Sequence, residues 1–381
     1  MSEITVKTLP QVGEVAPEAW DALVGVGGCP FLEHGFLSSL EDAGCVGPGT
    51  GWSPRYIAAR RGRDLVGALP LFRKDNGYGE FIFDWGWADA AQRAGIPYYP
   101  KMVVAAPFSP VAGPRFLLAP GEGEAVMDAL LQGARTAAVQ EPATGIHWLF
   151  ITETEEAFLQ SRGFAIRHTH QFHWTNDGYD DFDGFLQRFN SKRRNQIKRE
   201  RRRVREAGVT TQVLTGEAIT EDHIDTMWRY YTSTVDQYFY GRRYLNRRAF
   251  DLMHQRFRDR MFFLIAEQGG APIGGTFNVA KDGALYGRYW GTTTQIPNLH
   301  FEVCSYAGIE AAIERGFHRF EAGAGGGGHK FGRGFLPNIT RSAHEIFIPG
   351  LDEAIRRFVR QEKFSLACEL EEVQGRVLKP R

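Results

Sequence analysis

The feature that most constrains this sequence is a weak internal repeat. Residues 56–72 and residues 263–279 align at a shift of 207 positions, as an apolar run, a glycine turn and a second apolar run. Each copy predicts a β-hairpin, because a Gly-containing turn joins two strand-like runs. Gly67, and Gly274 with Gly275, fall early in the second strand, where glycine marks a bulge or a close backbone approach. Two similar α/β domains in tandem are therefore expected, with chance likeness of two hairpins as the alternative.

A second pair of segments supports the repeat. Residues 157–163 (AFLQSRG) and residues 312–316 (AIERG) both indicate a helix that ends at a glycine before a strand. The order strand, strand, helix, strand thus occurs in both halves. We place the boundary near residue 180, which predicts an N-terminal domain over residues 1–180 and a C-terminal domain over residues 181–381.

Length and composition fit this organisation. Of 381 residues, 43% are hydrophobic, which is enough for a large core. Lys+Arg and Asp+Glu both number 45, so a DNA-binding protein of high positive charge is not expected. The four cysteines form no CxxC pair, which favours reduced thiols and no metal. Without a signal peptide pattern, and with the most apolar stretch broken by prolines, the sequence predicts a cytoplasmic protein without an integral membrane segment.

One segment between the halves has an unusual charge. From Lys192 to Arg205, nine of fourteen residues are Lys or Arg, while Ile197 and Val204 lie seven positions apart. This spacing predicts an amphipathic helix over about residues 185–207 with a strongly basic face. Since such a face can neutralise phosphates, a non-catalytic RNA- or phosphate-binding protein is one candidate function. A solvated helix that pairs with acidic residues elsewhere is the simpler explanation.

A glycine-rich segment nearer the C-terminus predicts an anion site. Residues 321–335 read EAGAGGGGHKFGRGF and contain the spacing of a dinucleotide fingerprint. No helical pattern follows, and too few residues remain for a Rossmann domain, so we reject that interpretation. Glycine backbone N–H groups can nevertheless approach a ligand closely. His329, Lys330 and Arg333 follow, and each can donate to an oxyanion or a phosphate; an ordinary charged surface loop is the alternative.

Two further places combine titratable and aromatic residues. His300 and Glu302 stand near the start of a predicted helix, where acid–base groups can be positioned, although helix capping would also explain the carboxylate. In the first half, Glu80 and Asp84 lie among aromatic residues, and Lys101 follows them. Carboxylates in apolar sequence are either partnered or functional, so a structural pairing of Lys101 with Asp84 explains them as well as a binding role does.

Taken together, these segments resemble the FemAB-like family of N-acyltransferases, described as peptidoglycan biosynthesis/recognition proteins of the GNAT superfamily. The resemblance covers about residues 30–350. The segments that carry it are FLEHGFLSSLEDAG (31–44), GALPLF (67–72), YGEFIFDWGWADA (78–90), YYPK (98–101), PFSPVAGPRF (107–116), GRYWG (287–291), HFEVCSYAGIEAAIERG (300–316), FEAGAG (320–325), HKFGRGF (329–335) and RSAH (341–344). It implies an α/β (α+β) fold of two tandem acyl-CoA N-acyltransferase (GNAT-like) domains with mixed central sheets. The chain departs from the family at Gly325–Gly328, where relatives carry an acidic residue before His-Lys.

The resemblance also implies the reaction, which is transfer of an acyl or aminoacyl group to an amine. Fem-type enzymes take aminoacyl-tRNA as donor and act on peptidoglycan precursors, whereas ordinary GNAT enzymes take acetyl-CoA. The expected donor is therefore acyl-CoA or aminoacyl-tRNA, with tRNA as a candidate partner. The expected acceptor is a small-molecule amine or a peptidoglycan precursor. A degenerate acyltransferase scaffold without activity is a further alternative.

Residue roles follow from the same resemblance. Lys330 is similar to the lysine of the Fem-type Phe/Tyr-Lys-x-x-Phe region and would stabilise the oxyanion or the leaving group, supported by His329 and Arg333. From its place near the start of the predicted helix, and not from the resemblance, Glu302 or His300 is the candidate base that would accept the amine proton.

The remaining expected site residues would bind substrates. Those similar to the Fem-type Asn-Ile-Arg-Lys stretch, which would hold donor phosphates, are Asn195, Lys198 and Arg199. The others are Tyr289, Trp290, Glu80, Asp84 and Lys101.

Overall fold

The computed structural model of this chain describes residues 3–237, 241–325 and 327–373. One residue of the predicted glycine tract, Gly326, lies outside the described residues. No helix in this described part of the chain has both the length and the apolar character that a bilayer crossing requires.

The described residues form two compact units. The first unit contains the chain up to Thr169 and, much later in the sequence, Ile339–Ala367. The second contains His170–Asn338 and the chain from Cys368 onward.

The first 175 residues contain both strands and helices. They are β1 (Ile4–Leu9), α1 (Pro17–Val24), α2 (His34–Asp42), β2 (Trp52–Pro54), β3 (Tyr56–Arg61), β4 (Asp64–Leu69), β5 (Leu71–Lys74), α3 (Trp85–Arg93), β6 (Lys101–Val104), β7 (Leu117–Leu118), α4 (Glu124–Gln140), β8 (Gly145–Leu149), α5 (Glu153–Ser161) and β9 (Ala165–Thr175).

The rest of the chain begins with helices and continues with long strands. Its elements are α6 (Phe182–Leu186), α7 (Ser191–Glu206), β10 (Val209–Thr215), α8 (Glu221–Val235), α9 (Arg247–Arg256), β11 (Met261–Gln268), β12 (Ala271–Lys281), β13 (Ala284–Thr292), α10 (Leu299–Phe301), α11 (Ala307–Glu314), β14 (Arg319–Glu321), α12 (Gly327–Phe331), β15 (Leu336–Ile346) and α13 (Pro349–Val373). A π-helical turn, Glu302–Tyr306, joins α10 to α11.

In the first unit, β1, β3, β4 and β7 form an antiparallel sheet in the order β1–β3–β4–β7. The other strands follow the order β15–β8–β6–β5–β2, in which only β6 and β8 are parallel. Helix α4 buries Val126, Leu130 and Ala134 against the core that Ile57 also joins. Gly67 permits this approach, because a Cβ there would stand 2.6 Å from the Val126 Cγ1 atom.

In the second unit the strand order is β10–β11–β12–β13–β14–β9. Here β13 and β14 are parallel, and every other neighbouring pair is antiparallel. The apolar side chains of α6, α7 and α11 pack on this sheet, with Phe185, Phe189, Ile197 and Val204 all buried. Each unit thus combines helices with a mixed sheet, which confirms the predicted fold class.

The repeated hairpins are present in both units. Strand β3 pairs with β4 in the first unit, as β11 pairs with β12 in the second. Each pair shifts register just after a residue that faces glycine, Ala59 opposite Gly67 and Ala266 opposite Gly274. The bulges predicted beside these glycines are therefore confirmed. Since they keep the sequence offset of the repeat, the likeness of the two hairpins is structural.

The unit boundaries differ from the predicted domains 1–180 and 181–381. Residues Ser342–Ile346 of β15 pair with β8, and the apolar face of α13 packs in one cluster with Trp87 and Tyr98. Ile339–Ala367 therefore complete the first unit, although the sequence analysis assigned them to the second. An amphipathic helix shows in sequence which of its faces is apolar, but not which sheet that face will cover.

The basic segment also differs in detail from the single helix predicted over about residues 185–207. It forms two helices, and α7 begins after Asn190, whose side chain accepts a hydrogen bond from the Arg193 N–H at 2.9 Å. Ile197 and Val204 are buried, as the apolar stripe predicted.

Candidate functional site

A cavity of about 280 Å³ lies in the second unit, where the parallel pair β13–β14 ends. The ladder joins three residues of each strand and stops at Tyr286 and Glu321. Residues that follow the ladder in both segments, Gly287 after Tyr286 and Ala322 after Glu321, line the cavity. Its lining consists of Thr276, Asn278, Gly287, Arg288, Tyr289, Trp290, His300, Cys304, Ser305, Phe320, Ala322, Ala324, Gly325, His329 and Lys330.

A bulge shapes the strand side of the cavity. Phe277 of β12 pairs with Tyr289, but the next residue, Asn278, pairs with Gly287, so Arg288 is the additional residue in β13. Bulges redirect side chains and are frequent beside active sites. Asn278 donates hydrogen bonds to the Phe262 carbonyl at 3.1 Å and to the Thr276 hydroxyl at 2.8 Å, which fixes this wall.

The opposite wall contains the π-helical turn. Cys304 and Ser305 belong to this turn and line the cavity, and His300 precedes it in α10. Such single π turns inside α-helices are frequent at functional sites, because they alter which side chains face a given direction. Burial raises the pKa of the Cys304 thiol well above its usual value, so the thiol is neutral.

Lys330 is a buried, charged side chain of the cavity lining. It is buried, and its Nζ donates a hydrogen bond to the Gly323 carbonyl at 2.6 Å. Gly323 has a φ of +77°, and a Cβ there would stand 3.0 Å from the Gly287 carbonyl oxygen. Burial lowers the pKa of Lys330 to about 8, with a small opposing effect from Cys304. The ammonium thus dominates at pH 7 but titrates near it.

Two histidines stand beside this lysine. The rings of His300 and His329 are 6.1 Å apart between centroids, and His300 packs edge-on against Trp290 at 5.3 Å. Partial burial and the nearby positive charges of Lys330 and Arg333 lower the pKa of both rings, that of His300 to about 4. Both imidazoles are therefore neutral at pH 7 and able to accept a proton.

Among the described residues that line the cavity, none is Asp or Glu. The charged groups of the lining are Arg288 and Lys330. A positive cavity with neutral bases can stabilise an oxyanion and accept a proton, which are the two needs of acyl transfer.

The structure places Glu302 away from this cavity. Its carboxylate accepts hydrogen bonds from Arg201 at 2.9 and 3.0 Å, and Arg201 also contacts Glu310 at 2.5 Å. Burial raises the pKa of Glu302, although Arg201 opposes this effect. Because this carboxylate faces α7, His300 and His329 remain the candidate bases.

Arg333 supports the lysine segment from behind instead of lining the cavity. Its guanidinium lies 3.3 Å from the Phe301 ring centroid and donates to the His329 carbonyl at 2.8 Å. A second N–H of the guanidinium donates to the Glu200 carboxylate at 2.9 Å.

One expectation about the glycine tract was wrong. The sequence analysis found no helical pattern after the dinucleotide fingerprint, but the short helix α12 does follow the glycine tract.

The predicted phosphate ligands of α7 do not reach the cavity either. Asn195, Lys198 and Arg199 are exposed on the helix, and Lys198 pairs with Asp183 at 3.0 Å. Lys198 instead lines a separate depression of about 500 Å³, together with Arg205 and other residues of α6 and α7.

Glu80, Asp84 and Lys101 lie in the first unit, in a closed cluster. The Lys101 Nζ contacts Glu80 at 2.8 Å and also contacts Asp84, whose other partner is the Tyr98 hydroxyl at 2.6 Å. Their side chains are at most 4% exposed, so they cannot touch a substrate in this conformation. The structural pairing of Lys101 with Asp84 is therefore the explanation that the geometry supports.

Several lining residues were missed by the sequence analysis. Arg288 enters the cavity through the bulge in β13, and Cys304 and Ser305 enter through the π-helical turn, neither of which has a clear sequence signal. Thr276 and Asn278 did have one. They are polar residues two positions apart in an otherwise apolar strand, which places both on one face.

Comparisons with known proteins support this architecture. The chain is similar to FemX, at 12% identity over 90% of this chain and 98% of that one, with a TM-score of 0.55. It is also similar to L-PGS from Bacillus licheniformis, at 10% identity over 84% and 95% of the two chains, with a TM-score of 0.52. A conserved protein of unknown function from Bacteroides thetaiotaomicron has 12% identity over 89% and 99%, with a TM-score of 0.54. At such identities the likeness shows the fold alone.

No curated protein matches the sequence. The sequence profile of the FemAB-like family, described as peptidoglycan biosynthesis/recognition, matches residues 11–378. This match includes both units and the cavity. The chain therefore belongs to the FemAB-like family.

Proposed function

We propose that this protein is an N-acyltransferase that forms an amide at the cavity of the second unit. The observation that carries the proposal is the position of Lys330. Its ammonium is buried at the Gly323 carbonyl, beside two neutral imidazoles. The described residues of the cavity lining include no carboxylate. This arrangement supplies a hydrogen-bond donor for a developing oxyanion and a base for the attacking amine.

The reaction would proceed by attack of a neutral amine on the carbonyl carbon of the donor. A C–N bond forms, and Lys330 donates a hydrogen bond to the oxyanion of the tetrahedral intermediate. The C–S bond of a thioester, or the C–O bond of an aminoacyl ester, then breaks. His300 or His329 accepts the amine proton and returns it to the leaving group.

For the donor, we propose acyl-CoA or aminoacyl-tRNA, both of which carry phosphates. Arg288 and Lys330 give the cavity the positive charge that such donors need. Asn195 and Arg199, exposed on α7, would contact more distant phosphates. The acceptor would be the amine of a small molecule or of a peptidoglycan precursor. Both donor classes belong to the cytoplasm, where the reaction would occur.

One observation favours a second candidate, the non-catalytic binding of RNA. Lys192, Arg199 and Arg203 are exposed on α7 at spacings that place them on one face. Contacts of this kind weaken steeply as salt rises. RNA retention that is lost at high salt, in a protein without acyl transfer to any amine, would favour this candidate.

The test is thermal unfolding of the protein against a ligand panel, since a ligand of the folded state raises the melting temperature. The panel contains acetyl-CoA, longer acyl-CoAs, UDP-linked peptidoglycan precursors, and charged and uncharged tRNA. Any ligand that stabilises the protein is then tested for amide formation by mass spectrometry. Stabilisation by acyl-CoA alone indicates a GNAT-type donor, and stabilisation by charged tRNA with a precursor indicates aminoacyl transfer. No stabilisation by any donor contradicts the proposal and favours the degenerate scaffold.

A further inference from the structure

The basic helix α7 contains one carboxylate between Lys192 and Arg205, at Glu200. Helical spacing places Glu200 on the same face as Ile197 and Val204, and all three are buried. The run around it consists largely of exposed basic residues. A buried carboxylate requires partners, and most of those of Glu200 come from outside the helix.

Glu200 contacts two segments next to the cavity, the π-helical turn and the turn that follows α12. Its Oε2 accepts hydrogen bonds from the Tyr306 hydroxyl at 2.5 Å and from Arg333 at 2.9 Å, while its Oε1 accepts one from Gln196 at 2.8 Å. Tyr306 closes the π-helical turn that contains Cys304. Burial opposes the negative charge, but the bonds from Tyr306 and Gln196, together with Arg333, hold the pKa of Glu200 below its ordinary value.

Arg333 extends this contact to the lysine segment. It donates to the His329 carbonyl at 2.8 Å, and His329 directly precedes Lys330. A second residue of α7, Arg193, lies against the following turn, since a Cβ at Gly332 would stand 3.3 Å from the Arg193 guanidinium. The backbone that carries Lys330 is thus held from α7 at two points.

We propose that Glu200 is a positioning residue for Lys330. This role rests on the proposed acyl transfer. Glu200 acts through Arg333, which keeps α12 against the π-helical turn and the Lys330 ammonium inside the cavity. Glu200 does not line the cavity, so it does not contact substrate. Helix α7 therefore joins an exposed basic face to the segment that carries Lys330.

The titration of Lys330 measures this positioning directly. The ionisable and charged groups that face the lysine are Cys304, His300, His173, His329 and Arg333. The thiol and the three imidazoles are neutral from pH 7 to pH 8, because the pKa of the thiol is raised and those of the imidazoles are lowered. Arginine side chains remain charged over this pH range. A change in the titration midpoint of Lys330 thus reports its burial.

The experiment is competitive labelling of lysines with acetic anhydride, read by mass spectrometry from neutral to alkaline pH, on the full chain without substrate. We expect a midpoint near pH 8 for Lys330 in the wild type. In Glu200→Gln the loosened turn lets water reach the ammonium, and the midpoint should rise by about one unit or more toward the ordinary lysine value. The matched control is Glu206→Gln, which removes an exposed carboxylate from the same helix and should leave the midpoint unchanged.

A folded Glu200→Gln variant with the wild-type midpoint overturns the proposal. If that variant does not fold, two milder changes replace it. Tyr306→Phe removes one hydrogen bond to Glu200, and Arg333→Lys keeps the charge but cannot reach both Glu200 and His329. The same upward shift is expected in each, and wild-type midpoints in both overturn the proposal.

The kinetic counterpart is a fall in kcat of about tenfold in Glu200→Gln with KM unchanged, because the lost interaction matters in the transition state. Labelling requires no acyl transfer, so the two hypotheses fail separately. A shifted midpoint in a protein without transferase activity would retain the positioning role of Glu200 and contradict the proposed function.

Discussion

Both units bury a lysine close to a parallel strand pair, and the two lysines have opposite surroundings. Lys101 begins β6 and contacts the carboxylates of Glu80 and Asp84. Lys330 contacts the Gly323 carbonyl. Burial alone would lower the pKa of both lysines, but the two carboxylates raise that of Lys101, whereas that of Lys330 falls to about 8. A buried lysine is thus a fixed structural charge in one unit and a titratable donor in the other.

The two units also differ in what lies beyond the end of their parallel strand pair. After β6 the chain itself fills the first unit, where the fully buried Arg115 donates to the carbonyls of Val111 at 2.5 Å and Leu149 at 2.9 Å. The Glu155 carboxylate accepts the backbone N–H groups of Arg115 and Phe116. After β13 the second unit has the cavity instead. Beyond its parallel pair the first unit is thus closed by the buried Arg115 and Glu155, whereas the second unit is open.

The largest effect is expected from removing the lysine of the closed unit. Lys101→Met leaves Glu80 and Asp84 buried without their main cation, which should cost about 3–5 kcal/mol of unfolding free energy. Chemical denaturation measures this loss. Lys74→Met is the matched control within the cluster, because Lys74 lies 4.0 Å from Glu80 and donates mainly to the Tyr78 carbonyl. Its cost should stay within about 1–3 kcal/mol, and equal losses would contradict the distinction.

The corresponding change in the open unit should affect activity instead of stability. Lys330→Ala is expected to lower kcat by about a hundredfold or more, as removal of an oxyanion donor does. The steady-state rate of amide formation measures it, with thermal unfolding as the check on folding. Lys363→Ala, an exposed position of α13, is the control. Wild-type turnover by a folded Lys330→Ala variant would remove this lysine from the mechanism.

A smaller effect is expected from pH. Lys330 carries the positive charge that stabilises an oxyanion only when it is protonated, and its pKa is lowered to about 8, so kcat should fall as pH rises through 8. The lowered pKa of His300 keeps that base neutral well into the acid range. Lys330→Arg retains a proton at all these pH values and should lose the alkaline decrease, whatever activity remains. Identical alkaline limbs in both proteins would assign the decrease to another group.

The smallest effect on stability is expected at the N-terminal cap of α5 in the closed first unit. Thr152 caps α5, accepting the Glu155 N–H at 3.2 Å, while its own N–H donates to the Glu155 carboxylate at 3.0 Å. Thr152→Ala should cost about 1 kcal/mol of stability and leave kcat unchanged. Urea denaturation and the same activity assay test both statements. A loss of activity at unchanged stability would show that the closed unit contributes to the reaction.

The fold was largely predictable from the sequence because its signals are local. The hairpins and their bulges follow from glycines at fixed offsets, as at Gly67 and Gly274, and the inner face of α7 follows from Ile197 and Val204. The destination of the C-terminal helix was not predictable, because its apolar face would fit either unit.

The cavity was predictable only in part. His300, His329, Lys330, Tyr289 and Trp290 fall on segments that looked reactive, and the structure brings all five to one cavity. The partners of the charged residues could not be predicted in the same way. The ion pair of Glu302 joins residues 101 positions apart, and one turn of helix decides whether a carboxylate faces a cavity or an arginine.

The return of the chain to its first unit determines the order in which the two units can be completed during synthesis. Residues 170–338 are contiguous, so nearly all of the second unit leaves the ribosome before β15 has been made. The first unit must wait with the exposed edge of β8 until Ser342–Ile346 arrives. The unit that starts the chain is therefore completed by β15 only after residues 170–338 have been made, and a chain truncated after residue 338 would lack the strand segment that pairs with β8.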